Sequence, residues 1–445
     1  MLTFLGFAMV VTFMFLIMTK RLTPLIALTM VPILFAVLAW ALGNHFASLG
    51  HIQLNSLGPM MLDGLRTLAP TGVMLLFAIL YFAIMIDTGL FDPAVRWILK
   101  LVKGDPLKVA IGTVFLTLVV SLDGDGSTTY MICVAAMFPL YKRLGMNPLI
   151  MTCLMLLSSG VMNLTPWGGP TARAASALHV DPADVFVPMI PAMLASIAWL
   201  FVLAYLYGRR ERARLGILEI HESEGAKVTV SQCEEARRPH LRWFNGLLTL
   251  ALMAALVKGI LPMPVLFMIA FGIAMTINYR NIDLQKQRVA AHAENVLAVV
   301  SLIFAAGIFT GILSGTGMVD AMSKSLLAVI PEALGPYMAV ITALVSMPFT
   351  FFISNDAFYF GVLPVLAEAA GHYGIAPVEI ARASIVGQPV HLLSPLVPST
   401  YLLVGLAKVE FGDHQRFTLK WAVVTCLAML VTALLLGVFP LFSGA

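Results

Sequence analysis

Of the 445 residues, 60% are hydrophobic and only 11% are charged, with a mean hydropathy of +0.94, whereas a soluble domain carries roughly 25% charged residues. This excludes a soluble enzyme or binding module and predicts a polytopic membrane protein whose main partner is the lipid bilayer. A net charge of +4 in mixed-sign sequence gives no nucleic-acid surface, and Cys133, Cys153, Cys233 and Cys426 lack the paired spacing of a disulfide framework or thiolate metal site.

The first stretch, "MLTFLGFAMVVTFMFLIMTKR", lacks a basic leader and a small-residue cleavage site, so it is expected to be a retained span. Uninterrupted apolar runs suited to ~30 Å of hydrocarbon lie near Leu2 to Met18, Leu22 to Leu42, Leu68 to Ile86, Phe186 to Tyr207, Trp243 to Leu261, Met263 to Asn278, Val296 to Leu313 and Phe417 to Phe439. Between them, polar or Gly/Pro-rich segments interrupt the hydrophobic chain: "SLDGDGST" (121–128), "NLTPWGGPTARAAS" (163–176), "FISNDAF" (352–358) and "GQPVHLLSPLVPST" (387–400). Irregular backbone at membrane depth is tolerated only where protein or a water-filled cavity covers it.

The interruptions come in matched pairs. "TGLFD" at Thr88 to Asp92 recurs as "TGMVD" at Thr316 to Asp320, 228 positions on. Tyr130 matches Tyr359, Thr165-Pro166 matches Ser394-Pro395 and Thr171 matches Thr400, each 229 positions on. This collinearity predicts a duplication, with a first repeat over 1–207, a linker over 208–242 and a second repeat over 243–445. Each half reads as plain spans, a short amphipathic stretch after the TG motif, a re-entrant hairpin (tips 121–128 and 353–357), a broken helix (149–178 and 379–406) and a last span. Five crossings per half is an odd number, so the expected fold is an all-α, inverted-topology repeat.

If the linker is cytoplasmic, the positive-inside rule leaves only Arg66, Lys258, Lys324, Arg173 and Arg382 of the 27 Lys and Arg residues outside cytoplasmic segments. Both termini are then expected outside.

A charged aspartate at bilayer depth costs ~2.5 to 3.5 kcal/mol on insertion scales, so Asp123, Asp125 and Asp356 are expected to meet a cation, a proton or water. The competing reading of "SLDGDGST" is an ordinary Asp-Gly surface turn. A calcium loop beginning at Asp123 would need Gly and Glu where Thr128 and Val134 stand. An aspartyl protease would draw its carboxylates from two helices, whereas Asp123 and Asp125 share one loop, and no phosphate loop suggests ATP coupling. In the broken helices, Pro170 and Pro398 suit the starts of half-helices whose free N–H groups attract a carboxylate. Asn163, Thr165, Gly168, Gly169 and Thr171 in the first break, and Ser394, Ser399 and Thr400 in the second, are candidate binding residues. Arg173 adds a fixed bidentate donor, or else snorkels to a lipid headgroup. His391 is either a proton carrier or a hydrogen-bonded structural residue. Acidic tips and anion-binding helix ends point to a secondary transporter rather than a channel or an enzyme.

"SLDGDGSTTYMICVAAMFPLYKRLGMNPL", "NLTPWGGPTARAASALHVDP", "LYFAIMIDTGLFDP" and "SNDAFYFGVLPVL" resemble the citrate-divalent metal:proton symporters (CitMHS) of the ion transporter superfamily over essentially the whole chain. The resemblance implies uptake of citrate complexed with Mg2+ or Ca2+, driven by protons, by an inner-membrane homodimer that moves its hairpins and broken helices against a scaffold. It implies no tightly bound cofactor, since the metal travels with the substrate. More distant sodium-dicarboxylate transporters carry Ser-Asn-Thr at both tips. Here the first tip has Asp125-Gly126-Ser127-Thr128 and the second Ser354-Asn355-Asp356, which puts sodium coupling in doubt and makes the carboxylates candidates for proton or metal. A proton- or sodium-coupled di- or tricarboxylate carrier that needs no metal is the alternative.

Overall fold

The computed structural model describes residues 1–19, 21–43, 52–93, 97–98, 101, 104–124, 126–217, 234–328 and 331–443. All regular structure among these residues is helical. In the first half the helices are α1 (Leu2–Met18), α2 (Pro24–Leu42), α3 (Leu54–Asp87), α4 (Pro106–Val120), α5 (Gly126–Leu144), α6 (Pro148–Met162), α7 (Gly169–Leu178) and α8 (Pro182–Leu215). In the second they are α9 (Arg242–Lys258), α10 (Met263–Asn278), α11 (Ile282–Gly315), α12 (Met318–Leu327), α13 (Met338–Phe352), α14 (Leu363–Gly371), α15 (Pro377–Ser384), α16 (Gln388–His391), α17 (Pro398–Ala407) and α18 (Phe411–Leu435).

Four of these starts are written locally in the sequence. Thr23, Asp105, Asn147 and Asp181 each precede a proline, and each side chain accepts a backbone N–H of the first turn. Such caps satisfy orphan donors, while proline at the first helical position sacrifices none. The following half-helix begins with the same logic at Gly169-Pro170, without a side-chain cap.

Several expected spans proved too short. α3 and α11 are each 34 residues long, beginning at Leu54 and Ile282 rather than Leu68 and Val296. α8 runs on through Leu215, into the segment read as linker. Apolarity ends before helicity does, because each helix continues past the hydrocarbon-length run that the hydropathy pattern registers. Seven helices among the described residues are long and apolar enough to cross a membrane, whereas Leu2–Ile17 and Met263–Asn278 fall short by length. The amphipathic stretch after the second TG motif is α12; most of its first-half counterpart, and of the linker, lies outside the described residues.

α3 and α11 form the most extensive helix pair. Glycines set their approach: a Cβ on Gly64 would stand 2.0 Å from the Gly307 carbonyl oxygen, and one on Gly311 2.4 Å from that of Met60. Close crossings through small residues let backbones pack where apolar lipid supplies little drive for association. α2 and α10 pack on this pair, while α4 packs on α8 and α6, and α8 on α18.

The hairpins and breaks interlock across the halves. The second arm of the first hairpin, α5, packs on α17, and the π-helical turn Ala357–Val362 of the second hairpin packs on α7.

Candidate substrate site

A cavity of about 1070 Å³ lies where all four interruptions meet the α3–α11 pair. One wall is built from Ile79, Ala83, Ile86 and Asp87 of α3 and Arg288, Ala291, His292, Asn295 and Val299 of α11. The other comprises Ser121, Gly124, Gly126, Ser127 and Thr128 from the first tip, Asn163, Trp167, Gly169, Pro170 and Arg173 from the first break, Ser354, Asn355 and Asp356 from the second tip, and His391, Pro398 and Ser399 from the second break. Residues 273 positions apart in sequence therefore face one space; a Cβ on Gly126 would lie 3.3 Å from Ser399 Oγ.

The main charged contact on this wall joins the halves. Arg173 Nε donates to Asp356 Oδ1 at 2.6 Å, with both side chains largely buried (18% and 11% exposed). Arg173, expected to be free for a substrate carboxylate, is thus already paired, and Asp356 is the partner. The two residues were legible as separate charges; nothing local signalled their pairing.

Neighbouring contacts fix the tips and breaks. Gly124 adopts φ +77°, the left-handed conformation that turns the first hairpin. Trp167 Nε1 donates to the Leu122 carbonyl at 2.9 Å, and its ring packs on Phe82 and Phe267. Gly168 leaves no room for a side chain, since a Cβ would stand 2.0 Å from the Asn163 carbonyl oxygen. At the second tip Ser354 Oγ accepts the N–H of Ala357 at 3.1 Å. Asn355 and Gln388 exchange long amide hydrogen bonds of 3.4 Å, and Gln388 also donates to Tyr359 Oη at 2.8 Å. His391 Nδ1 lies 2.7 Å from the Thr350 carbonyl oxygen, the hydrogen bond of the structural reading, while the residue still lines the cavity.

Five expected binding residues do not line the cavity. Thr171 donates to the Leu164 carbonyl at 2.8 Å and Thr400 to that of Leu392, so the matched threonines brace the two breaks. Ser394 accepts the Leu396 N–H at 3.2 Å. Thr165 is buried, and Gly168 serves the backbone approach. Asp125 lies outside the described residues, and Asp123 is described only in its backbone, within a short 3-10 turn. Arg382 donates to the carbonyls of Asp184 and Val438 and takes no part in the cavity.

The α3–α11 wall was missed by the sequence reading. Asp87 is 6% exposed and lies 2.8 Å from His292 Nε2 and 3.6 Å from an Arg288 terminal nitrogen. Arg288, counted among loop cations, is only 6% exposed. The four-residue spacing of Arg288 and His292 on one helix was an available signal, obscured because the apolar run begins only at Val296. Among the described residues no group of three or more His, Cys, Asp or Glu side chains is arranged to hold a metal ion.

Helices of membrane-spanning length around a charged internal cavity define a multi-pass membrane transporter. The chain belongs to the CitMHS family, whose model, described as "Citrate transporter", matches residues 13–387. It is 59% identical to the "Citrate transporter" of Bacillus subtilis (strain 168) and 54% identical to the "Mg(2+)/citrate complex secondary transporter" of the same organism, each over 98% of this chain and 99% of the relative. The fold is similar to the YdaH transporter of Alcanivorax borkumensis (TM-score 0.60, 14% identity, 95% of this chain and 100% of that one). It is also similar to MtrF of Neisseria gonorrhoeae (TM-score 0.58, 15% identity, 85% and 83%). Its relatives are transporters, and this protein is a transporter rather than an enzyme.

Proposed function

We propose that this chain takes up citrate complexed with a divalent metal ion, by proton symport, across the inner membrane. The observation that carries the reading is the Arg173–Asp356 pair in the cavity wall. A carboxylate arriving alone would take Arg173 and strand a buried aspartate; a cation alone would take Asp356 and strand a buried arginine. Breaking a buried pair from one side costs ~3 to 5 kcal/mol. A metal–citrate complex, or a carboxylate arriving with a proton, supplies both partners at once and leaves no charge unpaired. Citrate leaves part of a hard metal's coordination shell open, which an aspartate oxygen fills. The relative described as a Mg2+/citrate complex secondary transporter supports the same cargo.

In this reading the half-helix starts at Gly169 and Pro398 turn their positive ends to the carboxylates. Ser127, Thr128, Asn163, Ser354, Asn355 and Ser399 hydrogen-bond the substrate, and Asp123, Asp125, Asp356 and His391 share the metal or proton. The two halves form an inverted repeat, supported by the matching order of 34-residue helix, hairpin, broken helix and last span. The hairpins and breaks move as a unit against α3 and α11, in a homodimer whose linker is cytoplasmic. On that topology the Asp87–Arg288 end of the cavity is its cytoplasmic mouth.

Labelled-citrate uptake into vesicles tests this. Removing divalent cations with a chelator is expected to stop uptake at a full proton gradient, and collapsing the gradient to abolish accumulation. Undiminished uptake of free citrate would rule out the complex; accumulation without a gradient would rule out symport.

A further inference from the structure

Arg288 is a buried arginine held by a long ion pair. Its nearest carboxylate oxygen, Asp87 Oδ2, is 3.6 Å away, beyond hydrogen-bond reach, and that oxygen is engaged by His292 at 2.8 Å. Nε of Arg288 has no hydrogen-bond partner among the described residues, although the residue is only 6% exposed and lines the cavity. Arg212 reaches Asp105 at 2.9 Å and Arg382 donates to two backbone carbonyls at 2.8 to 2.9 Å, while Arg237, whose Nε is also unmet, hydrogen-bonds Asp92 through a terminal nitrogen as Arg288 does not. A buried guanidinium with an unmet Nε donor in a cavity wall suits an oxyanion.

We infer that Arg288, His292 and Asn295 form a second carboxylate site on the α3–α11 wall, separate from the Arg173 site, which takes a polycarboxylate anion together with a proton. It rests on the transport reading above, and serves as the docking point at the cytoplasmic mouth, ahead of the Arg173 site. The charges set the proton requirement. Asp87 and Arg288 cancel, so the wall is neutral when His292 is neutral and carries one positive charge when His292 is protonated. The other charged groups on elements packed against α11 are accounted for. Asp63 and Arg66 of α3 are exposed and paired with each other, Arg173 of α7 and Asp356 beside the π-helical turn are likewise paired, Glu294 is exposed, and α2 has no titratable side chain. Asp320 and Lys324 of α12 lie beyond the far end of α11, about 30 Å along its axis from His292.

The test is citrate binding, in the presence of Mg2+, to the purified full-length protein. In Arg173→Gln protein a residual, weaker binding is expected to survive. It should disappear in the Arg173→Gln/Arg288→Gln double variant. Glutamine at 292 keeps a hydrogen bond to Asp87 but takes no proton. The residual site should therefore bind about tenfold more tightly at pH 6 than at pH 8 relative to the Arg173→Gln/His292→Gln variant at the same pH values, a ratio in which citrate's own protonation cancels. That comparison decides the matter even if Arg288→Gln does not fold. Wild-type protein that binds citrate, with nothing left at either pH in Arg173→Gln or, should that variant not fold, in the charge-balanced Arg173→Gln/Asp356→Asn protein, would overturn the second site and leave the transport reading standing; so would residual binding indifferent to both Arg288→Gln and His292→Gln. Wild-type protein that binds no citrate would overturn both.

Discussion

Arg173 of the first broken helix and Asp356 of the second hairpin tip, 183 residues apart in sequence, meet through a 2.6 Å hydrogen bond from Nε to Oδ1 that ties the two halves together. The pair balances charge in a cavity wall, so its two members are expected to behave as a unit. Arg173→Gln or Asp356→Asn alone leaves the other charge stranded and should lower stability by about 3 to 5 kcal/mol. The double variant should recover most of that loss while failing to take up citrate. Thermal unfolding in detergent, read beside uptake, checks both. Additive losses in the double variant would show that the two side chains are energetically independent.

The α3–α11 crossing supplies a second expectation. Gly64→Ala places a Cβ 2.0 Å from the Gly307 carbonyl oxygen, whereas Gly58→Ala, on the same helix, meets nothing within 4 Å. The first should destabilise by about 1 to 3 kcal/mol or more through forced separation of the helices; the second should be neutral or slightly stabilising, as alanine is the better helix former. Equal melting temperatures for the two variants would mean that the close crossing does not limit stability.

The two copies of the TG motif should respond differently. Asp92 is 1% exposed and pairs with Arg237, with Arg242 3.7 Å away, whereas Asp320 is exposed. Asp92→Ala strands a largely buried arginine and should cost about 3 to 5 kcal/mol, while Asp320→Ala should leave the melting temperature unchanged. A similar loss in both would assign the aspartate a role common to the two motifs.

Trp167 combines a donor with a packing surface. Trp167→Phe loses the bond to the Leu122 carbonyl but keeps a ring against Phe82 and Phe267, and should cost about 0.5 to 1.5 kcal/mol with uptake largely retained. Trp167→Ala removes the ring as well and should cost about 3 to 5 kcal/mol. If the phenylalanine variant were as unstable as the alanine variant, the hydrogen bond to the hairpin tip would be the dominant contribution.

What a local run of residues dictates was readable without coordinates. Long apolar stretches select helix and bilayer because unsatisfied backbone is intolerable in hydrocarbon, and Thr23, Asp105, Asn147 and Asp181, each followed by proline, cap helices that start at the next residue. The polar interruptions were legible for the same reason: serine, aspartate, glycine and proline between such stretches have no place in lipid. Tertiary structure decided which of these groups meet. Thr171 and Thr400, equal in the sequence to Ser127 or Ser399 as hydroxyl donors, turn inward to brace carbonyls. The matching TG motifs, TGLFD and TGMVD, leave one aspartate buried against arginines and the other in solvent. Arg288, grouped with loop cations on hydropathy, faces Asp87 from a neighbouring helix. Propensity and hydrophobicity act over a few residues, but an ion pair depends on how helices hundreds of positions apart cross, and that is set by packing of the whole bundle.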